Sequence, residues 1–162
     1  DLIMEPNQFI EGLKAIEQYD MVSPYNSVLD LNTQESTLQL QDIVKINRPG
    51  RGETDNQKIN ICGGISIFRK DAIQRIAGWN EDFIGWGGED DFQAIKVENF
   101  LTHTTLPYKC YHLYHNREAP NQTGYQRTLQ LLQTLKNLSK DDLVRTINLS
   151  SPKIAMINKY DN

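Results

Sequence analysis

The sequence predicts a mixed α/β domain, because runs with strand character are repeatedly followed by runs with helical spacing. Three stretches carry that prediction. Leu2-Ile3-Met4 is an apolar triplet ending at Glu5-Pro6, after which Phe9, Leu13 and Ile16 recur at helical spacing, so a strand feeds a helix over 7–18. Ile59, Ile61, Ile65, Ile67 and Phe68 surround Gly63-Gly64, the pattern of a buried strand interrupted where another group needs close backbone approach. A short helix over 70–77 follows, with Gly78 placed for a left-handed cap. Residues 108–114 read as a further strand, ending in His115-Asn116-Arg117.

The elements between these are weaker. Met21-Val22-Ser23-Pro24-Tyr25 suits a second strand. Residues 26–58 are polar, with Pro49-Gly50-Arg51-Gly52 near the end, and read as a surface helix or excursion followed by a loop. A helix over 89–101 places Phe92 and Ile95 on one side with either Lys96 or Asn99. Leu129, Leu132, Leu135 and Leu138 describe an amphipathic helix, and 141–147 another short one.

Composition excludes several classes of function. The 162 residues carry 17 basic and 21 acidic side chains, a net charge of −4, which argues against phosphate-backbone binding and predicts no nucleic-acid partner. With 38% hydrophobic residues the chain can bury a core. No apolar run reaches the ~20 residues needed to cross a bilayer, so no transmembrane segment is expected in this chain. Cys62 and Cys110 lack the spacing of a metal knuckle or a disulfide scaffold and read as reduced, buried thiols. A start at Asp1, running straight into an apolar triplet, suggests a piece of a longer protein.

Three places could carry chemistry. In Gly85-Trp86-Gly87-Gly88-Glu89-Asp90-Asp91, three carboxylates gather at a helix start, where the dipole holds them ionised. The glycines allow a ligand to approach, and a Trp among them can stack on a sugar face. A carbohydrate site and a plain helix cap explain these residues equally well, with a cation loop behind both. His112 and His115 are three apart on a strand, so their rings converge only if the strand ends or bulges between them. One metal ligand is therefore expected rather than two, with an ordinary surface or packing histidine as the commoner alternative. Arg117 suits a phosphate or a carboxylate, or a surface ion pair. Asp1 takes its meaning from whatever precedes it.

In order along the chain, Gly63-Gly64-Ile65-Ser66, Phe68-Arg69, Gly78-Trp79-Asn80-Glu81-Asp82-Phe83, the Gly85 to Asp91 run and His112-Leu113-Tyr114-His115-Asn116-Arg117 together resemble the C-terminal half of a GT-A glycosyltransferase. The pattern is similar to the galactosyltransferase-type region shared by β-1,4-galactosyltransferases and by bacterial family 2 enzymes of the chondroitin-polymerase kind. It covers 59–117 strongly and the opening residues loosely.

The resemblance implies an inverting, metal-dependent transferase. Asp90 would be the base on the acceptor hydroxyl and Glu89 a group that binds the acceptor sugar. Trp86, Gly87 and Gly88 would belong to a loop closing over donor and acceptor, with Asp91 beside them. Gly63 and Gly64 would line the sugar pocket, and Arg117 would stand next to the substrate. His115 would ligate Mn2+ (or Mg2+), His112 would be a second ligand, and Asp1 would be the last residue of an Asp-x-Asp motif. The implied partners are a UDP-sugar donor and a glycan acceptor, with galactose, N-acetylgalactosamine and glucuronic acid all open as the donated sugar. Residues 1–125 would be the acceptor and metal side of a GT-A domain with a partly parallel sheet, and 126–162 a helical extension. The nucleotide-binding half would lie upstream. Residues 116–127 resemble a mobile loop after the metal histidine. Surface polysaccharide synthesis at the cytoplasmic face of a bacterial membrane is the expected setting. The rival expectation is a carbohydrate-binding module without catalysis, and a third is a structural Zn or Ca site at the His and Asp clusters.

Overall fold

The computed structural model describes residues 1–54, 58–116 and 122–154, with Gln122 and 149–154 described by backbone alone. Arg117 therefore lies outside the described residues, as does part of the expected loop at 116–127.

The opening strand β1, Leu2–Ile3, feeds helix α1, Pro6–Ala15. Pro6 occupies the first turn, where its missing N–H costs nothing, and Glu5 with Gln8 forms a capping box. The helix stops at Ala15 rather than at 18, since 16–18 form a turn. Strand β2, Met21–Ser23, is wholly buried and ends at Pro24. Strand β3, Ser27–Asp30, follows within the stretch expected to be a polar excursion. A 3-10 turn over Glu35–Thr37 and the short helix α2, Leu40–Ile43, complete that stretch.

The strand expected from Ile59 is corrected. Residues 58–66 are irregular, and only Ile67–Phe68 forms a strand, β4. The cause is local. Asn60 accepts the Cys62 N–H on its side chain at 2.8 Å and the Gly63 N–H on its carbonyl at 3.2 Å, which turns the chain. Gly64 then sits at φ 115°, a conformation that L side chains rarely adopt.

Helix α3 spans Lys70–Arg75. Its end is a Schellman closure, with the Ala77 N–H on the Gln74 carbonyl at 3.1 Å and the Gly78 N–H on Ile73 at 2.9 Å. Ala77 itself is left-handed, at φ 57°, in addition to the expected Gly78. Helix α4, Glu89–Phe100, matches its expected span within a residue. Of the two candidates for its inner side, Lys96 is buried and Asn99 exposed. The Lys96 ammonium donates to the carbonyls of Ile76 (3.1 Å) and Gly78, and lies 5.3 Å from the centre of the Phe92 ring. It caps the C-terminal end of α3, and burial pulls its pKa down to about 8.

Strands β5, His103–Thr105, and β6, Lys109–His112, close the β structure. Strand β5 was missed in the sequence, having three polar residues and no alternation. Helices α5, Gln122–Lys136, and α6, Lys140–Ile154, follow.

The strands make two small mixed sheets, ordered β1-β6-β3 and β4-β2-β5. Both β3–β6 and β2–β5 are parallel pairs, whereas β1 and β4 run antiparallel to their neighbours. The two sheets are halves of one kinked ribbon, because the Leu106 N–H on the Ser23 carbonyl and the Asn26 N–H on the Tyr108 carbonyl, each at 2.9 Å, carry the pairing across the break. Met21, Ala72, Ile76, Val97 and Cys62 pack one core. Phe92, Leu132, Leu135, Leu143 and Ile147 join α4 to the last two helices in another. Around β3 and β6, Leu29, Leu31, Ile43 and Tyr111 form a third. Both thiols are free and buried, pushed up to about 12 for Cys62 and about 11 for Cys110.

Candidate active site

Strand β6 is the central strand of its sheet, so its C-terminal end is flanked on both sides. In register, His112 faces Leu2 of β1 and Asp30 of β3. The strand stops at His112, and the chain beyond it is held by the Leu113 N–H on the Asp1 carbonyl (2.9 Å) and the Tyr114 N–H on Ser36 Oγ (2.8 Å). Ending the strand between the two histidines lets His115 turn back on His112. The rings meet edge to face at 5.2 Å, with the two Nε2 atoms 3.3 Å apart. Asp1 Oδ2 lies 3.5 Å from His115 Nε2.

Donor atoms of Asp1, His112 and His115 all lie within 4.8 Å of one another, so the three expected metal residues are brought together. Two ligands that each sit about 2.1 Å from one ion, as on a tetrahedral or octahedral edge, are about 3.0–3.4 Å apart. The separations of 3.3 and 3.5 Å are close to that, so the set fits a divalent cation. Two imidazoles and one carboxylate suit Mn2+ better than Mg2+, which prefers oxygen ligands.

A cleft of about 440 Å³ opens beside this cluster, lined by Asp1, Leu2, His112, Arg51, Gly63 and Gly64 among others. The Gly63-Gly64 turn forms part of its wall. Tyr25 is buried beneath it and fixes it, donating its hydroxyl to the Gly63 carbonyl (2.9 Å) and accepting the Ile65 N–H (3.2 Å). A Cβ on Gly63 would stand 3.6 Å from Asp90 Oδ2, so the expected base adjoins the cleft wall.

The three carboxylates of α4 have three different environments. Asp90 is half-buried, and its pKa is raised by that burial and by the neighbouring Glu89, against an opposing hydrogen bond from the Trp79 side chain. Trp79 is held by edge-on packing on Phe68 at 5.7 Å. Asp91 accepts from Asn60 Nδ2 at 3.1 Å. Glu89 has one carboxylate oxygen buried with no partner among the described residues. Gly88, at φ 91°, begins the helix without a side-chain cap, and all three acids fall in the first turn.

Trp86, Gly87 and Gly88 are placed differently from the glycines of the turn. Trp86 is 60% exposed and packs on Tyr125 of α5 at 5.5 Å, with its carbonyl accepting from Thr128 Oγ1. Gly87 touches the same Tyr125 ring, and Gly88 rests between Phe83 and Leu132. None of the three lines the cleft.

Sequence reasoning missed several residues. Asp30 accepts from His112 Nδ1 at 2.9 Å and from Arg51 Nε and Nη2 at 2.8 and 3.0 Å, contacts that hold its carboxyl below the usual range against a cost of burial. Arg51 reaches Asp30 because the segment around it pairs with Val28 on the outer edge of β3. Gly50 allows that approach, since a Cβ there would stand 2.6 Å from the Val28 carbonyl oxygen. The signal was the glycine pair flanking Arg51, which was read only as a loop marker. Asn60 and Tyr25 carry no sequence signal of their own, and Trp79 stood out only as a member of the Gly78 to Phe83 motif.

Fold and site together define a mixed α/β chain with a two-histidine, one-carboxylate cluster beside a cleft, and a half-buried Asp adjoining one glycine of the cleft wall. Residues 53–116 match the family described as the N-terminal domain of galactosyltransferase. Mouse β-1,4-galactosyltransferase 4 is 27% identical over 84 residues, 49% of this chain and 24% of the relative. Mouse β-1,4-galactosyltransferase 1 is 26% identical over 110 residues, 63% and 26%, and the bovine protein of that name is 27% identical over 92 residues, 52% and 22%. The chain spans about a quarter of the length of these curated relatives. No solved structure matches. This chain is galactosyltransferase-like over the segment that carries the Gly63-Gly64 turn, the three carboxylates and both histidines.

Proposed function

We propose that the chain is the acceptor-side and metal-side portion, the C-terminal half, of a GT-A glycosyltransferase that moves a sugar from a UDP-sugar to a glycan hydroxyl with inversion. The observation that carries this reading is the convergence of Asp1, His112 and His115 beside a cleft that Asp1 and His112 line together with Gly63, which adjoins Asp90. A carbohydrate-binding module needs no metal-ligating cluster acting jointly with a base.

In this mechanism Asp90 takes the proton of the acceptor hydroxyl as its oxygen bonds to the anomeric carbon, and the bond from that carbon to the UDP oxygen breaks. One base on the acceptor side suffices for an inverting displacement. Its raised pKa suits the task, because an ionised carboxylate in a partly dry site is a stronger base than one in water. Glu89, with its unpartnered oxygen, and Asp91, anchored by Asn60, flank the acceptor position. Asp1, His112 and His115 would hold Mn2+, which neutralises charge on a departing diphosphate. The Gly63-Gly64 turn leaves room for the transferred sugar. The uracil and ribose are bound by upstream residues, and the setting is polysaccharide synthesis at the cytoplasmic membrane face.

The test is sugar release from UDP-galactose, UDP-N-acetylgalactosamine and UDP-glucuronic acid, with and without Mn2+, on this chain and on a form extended upstream. Manganese-dependent turnover that falls by about 10²-fold or more in Asp90→Asn supports the reading. Glycan binding that survives Asp90→Asn, with no turnover in either form, overturns it in favour of a binding module.

A further inference from the structure

We infer that Asp30 is a positioning residue for the cation site, setting the tautomer and direction of His112; this rests on the metal reading above. The evidence is one chain of contacts: Arg51 to Asp30, Asp30 to His112, and His112 to the cluster.

A carboxylate facing the imidazole at 2.9 Å accepts and does not donate, so the ring nitrogen that meets it, Nδ1, carries the proton. The lone pair is then left on Nε2. That is the nitrogen which faces His115 Nε2 at 3.3 Å, within the cluster of donor atoms. Asp30 does not belong to that cluster. Its effect on a cation passes through His112. Without a partner on Nδ1 the proton is free to occupy Nε2, where it removes the ligand lone pair, and the ring is free to turn.

Two features fix Asp30 itself. Parallel register places it directly opposite His112, so its backbone is tied to the strand that carries the ligand. Arg51 then engages both carboxylate oxygens, Nε on Oδ2 and Nη2 on Oδ1, which holds the carboxylate plane in one orientation. Arg51 is itself placed by its backbone pairing with Val28.

The test has two readouts. In the metal-free protein, two-bond nitrogen–proton NMR correlations of labelled imidazoles report which nitrogen of His112 carries the proton. Titration with Mn2+, followed by the EPR signal of the free ion, reports affinity. We expect the Nδ1–H form in the wild type and its loss in Asp30→Ala, with Mn2+ affinity down by about 10–100-fold. Asp30→Asn keeps an acceptor for Nδ1 and loses less. Arg51→Ala keeps the Asp30–His112 contact, so the tautomer persists and affinity falls by less than in Asp30→Ala. If Arg51→Ala lowers Mn2+ affinity as much as Asp30→Ala while the Nδ1–H tautomer persists, the loss comes from the Arg51 segment and not from the Asp30–His112 contact, and the inference is overturned. Equal Mn2+ affinity in wild type and Asp30→Ala, or an Nε2–H tautomer in the wild type, overturns it as well. A wild-type protein that binds no Mn2+ overturns the metal reading beneath it, an outcome distinct from the previous two.

Discussion

Adjacent glycines at 63 and 64 respond differently to the same added methyl. At Gly64 the backbone lies at φ 115°, and a new Cβ would stand 2.5 Å from Tyr25 Oη and closer still to Leu2 Cδ1. Holding alanine at such a φ costs about 1–3 kcal/mol. Moving Tyr25 aside breaks its bonds to Gly63 and Ile65, at about 1 kcal/mol each. Gly64→Ala should therefore destabilise by about 3–5 kcal/mol, a large part of a typical domain's ~5–15 kcal/mol. At Gly63 the new Cβ meets Asn60 Cβ at 3.3 Å and Asp90 Oδ2 at 3.6 Å, and the neighbours need to give only slightly. Gly63→Ala should cost below about 1 kcal/mol while narrowing the cleft beside Asp90. Urea unfolding of the three proteins reads the stability difference, and donor turnover by a form extended upstream reads the site. Equal stability loss in the two variants, or Gly64→Ala as stable as wild type, would refute the assignment of Gly64 to the Tyr25 latch and Gly63 to the cleft.

Other predictions follow from the ionisable groups. Because burial and Glu89 raise the Asp90 pKa, the acid limb of kcat/KM should lie above the pH of an ordinary aspartate, and Trp79→Phe, which removes the opposing hydrogen bond but keeps an aromatic ring near Phe68, should move that limb further up; a limb that stays put after Trp79→Phe speaks against the contact. A group whose folded pKa is raised disfavours folding once ionised, so Asp90→Asn should be at least as stable as wild type at neutral pH by thermal unfolding, and a fall in Tm would contradict this. Lys96→Ala leaves the buried Ile76 and Gly78 carbonyls unpaired and removes a buried stem, so urea unfolding should show a loss of about 3 kcal/mol. Cys62 and Cys110, protonated at pH 8 and buried, should resist iodoacetamide until denaturant is added, as mass spectrometry would show.

Local signals made part of this architecture legible. Apolar spacing marked α1, although Phe9 and Leu13 of that pattern are exposed while the helix buries Gln8 and Gly12. The clustered acids marked the start of α4, and the strand expected over 108–114 is present but stops two residues earlier, at His112. Strands β3 and β5 were not visible, since each is three or four residues long and is defined by its parallel partner rather than by alternation. The irregular run before β4 misled for the opposite reason: its isoleucines alternate, yet Asn60 and Gly64 turn the chain. The site divided the same way. Asp90, Glu89, His112 and His115 stood out as clustered chemistry. Asp30 and Arg51 act only through register and a paired edge, which no spacing in the sequence displays.

Asp1, His112 and His115 are proposed to hold a divalent ion against a nucleotide diphosphate. Calorimetric titration of UDP with and without Mn2+, on this chain and on one extended upstream, tests it most directly. The account predicts that the extended form binds UDP only when Mn2+ is present, and that His115→Ala abolishes the metal dependence. UDP binding that is equally tight without Mn2+, or no binding by either form, would contradict it.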